Sequence, residues 1–140
     1  INRTCVDFED ISDWHRRLKG RRVRFGRDIS VQAICGGSIV QKQRAAGYGG
    51  MVVQACIRGG EEVRVVYGHV RLADMETGVG SYLAPGAFLA YLGAEGSADT
   101  DGERRHLHLG IHRGTSVDIR GYVSTPSELK AWIDPLEWFR

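Results

Sequence analysis

Short apolar runs rich in β-branched residues recur along the chain, and pairs of glycines separate them. That spacing is the punctuation of strands and turns, not of long helices. Strands are predicted over 31–40, 51–57, 63–69, 88–92 and 106–112, bounded by Gly36-Gly37, Gly47-Tyr48-Gly49-Gly50, Gly59-Gly60 and Gly93. The glycine pair at 59 and 60 sits between two alternating runs and predicts a hairpin. Two short helices are expected at the periphery. One covers 12–19, capped by Ser12 or Asp13; the other covers 127–132, opened by Thr125-Pro126 and ended before Asp134-Pro135. No repeat, low-complexity stretch or linker divides the chain, so the reading is one all-β domain over 1–140.

Composition narrows the function classes. The chain has 19 Lys and Arg against 17 Asp and Glu, a net charge of +2, too mild to argue for nucleic acid as a partner. No run of about 18 apolar residues occurs, which excludes a membrane-spanning helix. Arg16, Arg17, Lys19, Arg21, Arg22, Arg24 and Arg27 form a local basic cluster, read as a solvated loop because Leu18, Val23 and Phe25 interrupt it. Cys5, Cys35 and Cys56 make no closely spaced metal-type pair; three cysteines allow one bridged pair, but Cys35 and Cys56 are expected as reduced, buried strand residues. The chain starts at Ile1 with neither methionine nor a signal-peptide pattern, as a processed protein or a fragment would.

The candidate chemistry lies in Arg105-His106-Leu107-His108-Leu109-Gly110-Ile111-His112. On a strand, Leu107, Leu109 and Ile111 face one way and His106, His108 and His112 the other. Residues two apart stand roughly 6.6 Å from each other, so one imidazole can ligate a metal while its neighbour acts on the substrate beside it. His112 lies roughly 13 Å from His108 and is read as structural or rim. His69, in Tyr67-Gly68-His69, ends another predicted strand next to a glycine that permits close approach.

Gly47-Tyr48-Gly49-Gly50, Tyr67-Gly68-His69, His106-Leu107-His108 and Ile133-Asp134-Pro135 occur in an order that resembles the lysostaphin/LytM family of zinc endopeptidases, over about 31–135. The resemblance implies a β-rich fold around an antiparallel sheet, of the duplicated hybrid motif type, and cleavage of peptide stems or bridges in peptidoglycan. It implies zinc as cofactor, His108 as a ligand, and His106 and His69 as catalytic histidines. It also implies an extracytoplasmic location, since that is where the substrate is.

The family draws its remaining ligands from an H-x-G-x-D motif, and here the chain departs. Arg3-Thr4-Cys5-Val6-Asp7 keeps the aspartate, which makes Asp7 the preferred ligand, but has Arg3 at the histidine position and Cys5 at the glycine position. A guanidinium stays protonated and cannot bind zinc. Arg24-Phe25-Gly26-Arg27-Asp28 is a second candidate, set too close to the next strand. Either His15 or the Cys5 thiolate is a possible substitute for the missing ligand. Asp99, Asp101 and Glu103 read as a turn before the histidine strand, and Tyr122, Trp132, Trp138 and Phe139 as a docking core for the C-terminal helix. Two functions follow: a zinc endopeptidase of the cell wall, or an inactive relative that binds wall peptide or glycan or activates a partner cell-wall hydrolase.

Overall fold

The computed structural model describes residues 2–8 and 28–139. The predicted helix over 12–19, the basic cluster and His15 lie outside the described residues. In chain order the strands are β1 (Asn2–Arg3), β2 (Cys5–Phe8), β3 (Ser30–Gln32), β4 (Gly37–Ala45), β5 (Gly49–Arg58), β6 (Glu61–Gly68), β7 (Val70–Arg71), β8 (Tyr82–Leu83), β9 (Phe88–Leu92), β10 (Leu107–Arg113), β11 (Tyr122–Val123) and β12 (Trp132–Ile133). Among the described residues these are joined by a 3-10 turn, Ala98–Thr100, and two short helices, α1 (Pro126–Leu129) and α2 (Pro135–Trp138).

All pairing among the described strands is antiparallel. The largest sheet runs β12-β10-β6-β5-β4-β8. Along the other side of β10 from β6, β2 pairs with its first half and β12 with its last residues. A smaller sheet, β3-β9-β7, packs Val31, Leu89, Leu92 and Val70 into the same apolar cluster as Leu107, Leu109 and Ile111. Burial of each such side chain contributes about 1.5–3 kcal/mol. The central strand β5 is covered on both faces: Val52 and Cys56 join that cluster, while Met51 and Val53 join a second one with Tyr48 and Val66. The histidine face of β10 lies on the side of this second, thinner cluster.

The predicted strand over 31–40 is two strands in two sheets. The chain leaves the small sheet after Gln32 and joins the large one at Gly37, where a side chain would collide with the Ala55 carbonyl. A buried network fixes the crossing: Tyr67 Oη donates to Gln54 Oε1 at 2.8 Å and accepts from Ile34 N at 3.0 Å, while Gln54 Nε2 donates to Cys35 O at 2.9 Å. Cys35 and Cys56 are joined in a disulfide across this point, with α-carbons 6.1 Å apart. This corrects the expectation of reduced thiols, because the crossing brings the segment before β4 against β5. The C-terminal helix is also shorter than predicted. Thr125 caps it by accepting from Glu128 N at 3.2 Å, but Trp132 has left it to pair with His112 as β12. Of the C-terminal aromatics, Trp138 and Phe139 pack on the core, with Phe139 edge-on to Phe8, whereas Tyr122 is 58% exposed.

Candidate functional site

Strand alternation places Leu107, Leu109 and Ile111 in the core and turns His108 to the opposite face. Antiparallel register sets Asp7 opposite His108 and Cys5 opposite Gly110 across β2, and Gly68 opposite His108 across β6. Gly68 is required there, since a β-carbon would lie 2.7 Å from the Tyr48 ring and 3.1 Å from His108 Cβ. The next residue, His69, takes φ 66, the left-handed region that costs a non-glycine residue about 1–3 kcal/mol. Two backbone bonds hold it: His69 N donates to Tyr48 O at 2.9 Å, and Gly93 N donates to His69 O at 2.8 Å. The turn swings the His69 ring onto His106, with ring centres 4.4 Å apart, and leaves it 5.9 Å from His108.

Asp7 is the hub. Its Oδ1 lies 3.2 Å from His108 Nδ1, and its Oδ2 lies 2.6 Å from an Arg3 guanidinium nitrogen and 3.8 Å from His106 Nε2. Cys5 Sγ is 3.7 Å from His108 Nδ1, and the donor atoms of Cys5, Asp7 and His108 all lie within 4.8 Å of one another. A second such group joins His69, Glu103 and His106. His106 is fully buried and its Nδ1 is 2.8 Å from Arg104 O. A carbonyl only accepts, so Nδ1 carries the hydrogen and Nε2 faces the cleft. The cleft has a volume of about 480 Å³.

Charge follows the geometry. Burial would raise the Asp7 carboxyl, but His108 and Arg3 outweigh it and hold it below the ordinary carboxylate range. Burial would lower His108, yet Asp7 and Cys5 bring it up to about 9. At His69 burial, with His106 and His108 nearby, outweighs Glu103 and Asp7 and pushes it down to about 4.

The structure brings Arg3, Asp7, His69, His106 and His108 together in this cleft. Asp28, the aspartate of the second candidate motif, instead pairs with Arg71 at 3.1 Å. His112 packs edge-on to Trp132 with ring centres 4.6 Å apart, outside the cleft. Of the turn carboxylates, Asp99 pairs with Arg44 and Asp101 accepts from Gly47 N, while Glu103 lines the cleft. The sequence marks Tyr48 only as part of its glycine run. Its ring packs edge-on to His108 at 4.8 Å and its hydroxyl donates to Ile119 O, which ties the 119–122 wall of the cleft to the histidines. The glycines around Tyr48 were the available signal.

The sequence profile described as peptidase family M23 matches residues 16–119. The chain belongs to peptidase family M23. No curated protein matches the sequence significantly. Among solved structures, the M23 fold is similar to that of a peptidase M23 protein from Pseudomonas aeruginosa at 15% identity and a TM-score of 0.55, covering 80% of this chain and 39% of that one. It is also similar to LytM of Ruminococcus gnavus ATCC 29149, at 16% identity, a TM-score of 0.55 and coverage of 97% and 52%. LytU is similar at 16% identity, with a TM-score of 0.53 and coverage of 96% and 83%. The chain thus spans two fifths to half of the first two proteins. The M23 assignment and the antiparallel architecture agree with the LytM-type resemblance read from the histidine and glycine motifs.

Proposed function

We propose that this M23 domain is a zinc-dependent endopeptidase that hydrolyses peptide bonds in the stems or bridges of bacterial cell-wall peptidoglycan. The observation that carries the reading is the convergence of Asp7, His69, His106 and His108 on one cleft. Asp7 Oδ1 is buried and faces His108 Nδ1 at 3.2 Å, so a carboxylate oxygen and an imidazole nitrogen are turned toward one point. Asp7 and His108 would hold the zinc, since carboxylate and imidazole are both suitable ligands. Zinc, when bound, supplies Lewis acidity toward the scissile carbonyl and a water acidic enough to react near neutral pH.

The chain's own residues do the remainder. His106 Nε2, unprotonated in the tautomer set by Arg104 O, takes up a proton on the cleft side and returns it to the departing amine. His69, held by its two backbone bonds, faces the same point and stabilises negative charge on the carbonyl oxygen. The glycyl-glycine endopeptidase description of the Ruminococcus gnavus relative supports a peptide substrate. The Cys35–Cys56 disulfide supports an extracytoplasmic location, because such bonds persist in oxidising compartments. Among the described residues no helix is long and apolar enough to cross a membrane.

A second reading has an observation of its own. The Arg3 guanidinium sits on Asp7 at 2.6 Å, which favours a cleft that binds wall peptide or glycan, or activates a partner hydrolase, without cutting. Zinc-loaded protein incubated with purified peptidoglycan separates the two. Release of new amino groups, lost in His106→Ala, is the result expected. Binding of wall fragments with no release establishes the second reading instead.

A further inference from the structure

We infer that Cys5, buried behind the Asp7–His108 wall of this cleft, is the third metal-holding side chain beside those two, acting through Sγ in place of the histidine that an H-x-G-x-D motif supplies. The inference rests on the metallopeptidase reading above. Cys5 and Asp7 are two residues apart on β2 and share a face, and His108 stands opposite Asp7. With zinc–ligand bonds of about 2.0–2.3 Å, tetrahedral neighbours stand roughly 3.3–3.6 Å apart. The observed separations are 3.2 Å for Asp7 Oδ1 to His108 Nδ1 and 3.7 Å for Cys5 Sγ to His108 Nδ1. All three donor atoms lie within 4.8 Å of one another, so side-chain adjustment of about 1 Å or less would gather them around one ion. Cys35 and Cys56 are consumed in the disulfide, while Cys5 is unbridged and buried beside two donors of different chemistry.

Arg3 accounts for the pairing of the two departures. It occupies Asp7 Oδ2 and leaves Oδ1 facing His108 Nδ1 at 3.2 Å. A guanidinium this close repels a divalent ion. The Cys5 thiolate carries one negative charge more than the imidazole it replaces, and that charge offsets the guanidinium. A loaded Cys5–Asp7–His108 centre with Arg3 therefore has the same net charge as a loaded centre of two histidines and one aspartate. Thiolate, carboxylate and imidazole are all accepted zinc ligands, and three of them leave a fourth position open.

Metal content and spectroscopy test this on the full chain without recourse to activity. Zn²⁺ is equilibrated with wild type, Cys5→Ser, and Cys5→Ser combined with Arg3→His, and Co²⁺ is used as the optical probe. One metal per wild-type chain, a thiolate-to-cobalt charge-transfer band, and a loss of affinity in Cys5→Ser of more than about 100-fold are expected. The double variant regains metal without the thiolate band, which also shows that serine at position 5 leaves the domain folded. Equal affinity in wild type and Cys5→Ser, with no thiolate band, overturns the role of Cys5 and leaves the metallopeptidase reading standing. A wild type that binds neither metal overturns both.

Discussion

Asp7 and His108 face each other directly across the β2–β10 pair, with 3.2 Å between Oδ1 and Nδ1. Backbone register alone creates this contact, so any change to either side chain acts on the same point in the cleft. Asp7→Asn keeps the size and removes the charge. The expected outcome is a fall in zinc affinity of at least about 100-fold, since losing a ligating charge costs no less than losing an outer-sphere partner. Titration calorimetry against Zn²⁺ measures it, and an unchanged affinity would remove Asp7 from the metal.

His106 and His69 are assigned to proton handling and charge stabilisation, not to metal holding. His106→Ala and His69→Ala are each expected to retain zinc while cleavage falls by about 10²–10⁴-fold. Elemental analysis and amino-group release on the same samples make the distinction. Loss of metal in His106→Ala would move that residue from catalysis to ligation.

The parts of this site legible in the sequence were those governed by strand periodicity. Leu107, Leu109 and Ile111 alternate with His106, His108 and His112 whatever the neighbours of the strand are, so the two faces were readable from one segment. Position across strands was not readable. The approach of Cys5 to His108, the ion pair of Arg3 with Asp7, and the removal of His112 to Trp132 all depend on which residue of β2 or β12 stands opposite which residue of β10. Gly36-Gly37 interrupts 31–40, but a glycine pair does not say that the segments on its two sides belong to different sheets. The disulfide pairing is illegible for the same reason, because it spans 21 residues and joins segments that only the sheet crossing brings together.

That disulfide sets a second kind of test. Replacing both Cys35 and Cys56 by alanine is expected to cost about 2–4 kcal/mol, chiefly by freeing the unfolded chain. Urea unfolding of oxidised wild type and the double variant measures the difference. Zinc stoichiometry in the folded variant is expected to stay unchanged, since neither cysteine lines the cleft. Loss of zinc along with stability would tie the crossing to the site.

Tyr67 and Gln54 are wholly buried, and their polar groups answer one another and the backbone of the crossing. Tyr67→Phe removes the hydroxyl that satisfies both Ile34 N and Gln54 Oε1. A destabilisation of about 1–3 kcal/mol is expected, the cost of leaving buried polar groups without partners. Thermal unfolding monitored by circular dichroism provides the check; a loss below about 0.5 kcal/mol would indicate that the crossing relaxes to recover those bonds.

Gly68 offers the sharpest separation of fold from site. Its added β-carbon would press at 2.7 Å on Tyr48 and at 3.1 Å on His108, while the strand that carries it pairs with Met51 on one side and His108 on the other. Backbone pairing survives an alanine at this position, but the Tyr48 ring cannot stay where it is. Tyr48 Oη also holds Ile119 O, so displacement of the ring moves the cleft wall as well as the face of His108. Gly68→Ala is therefore expected to lose about 1–3 kcal/mol of stability from overpacking. Zinc affinity and cleavage are expected to fall further than that loss accounts for at temperatures where the variant is fully folded. Parallel melting curves and zinc titrations decide it: full affinity in a destabilised variant would show that His108 keeps its place without the Tyr48 contact.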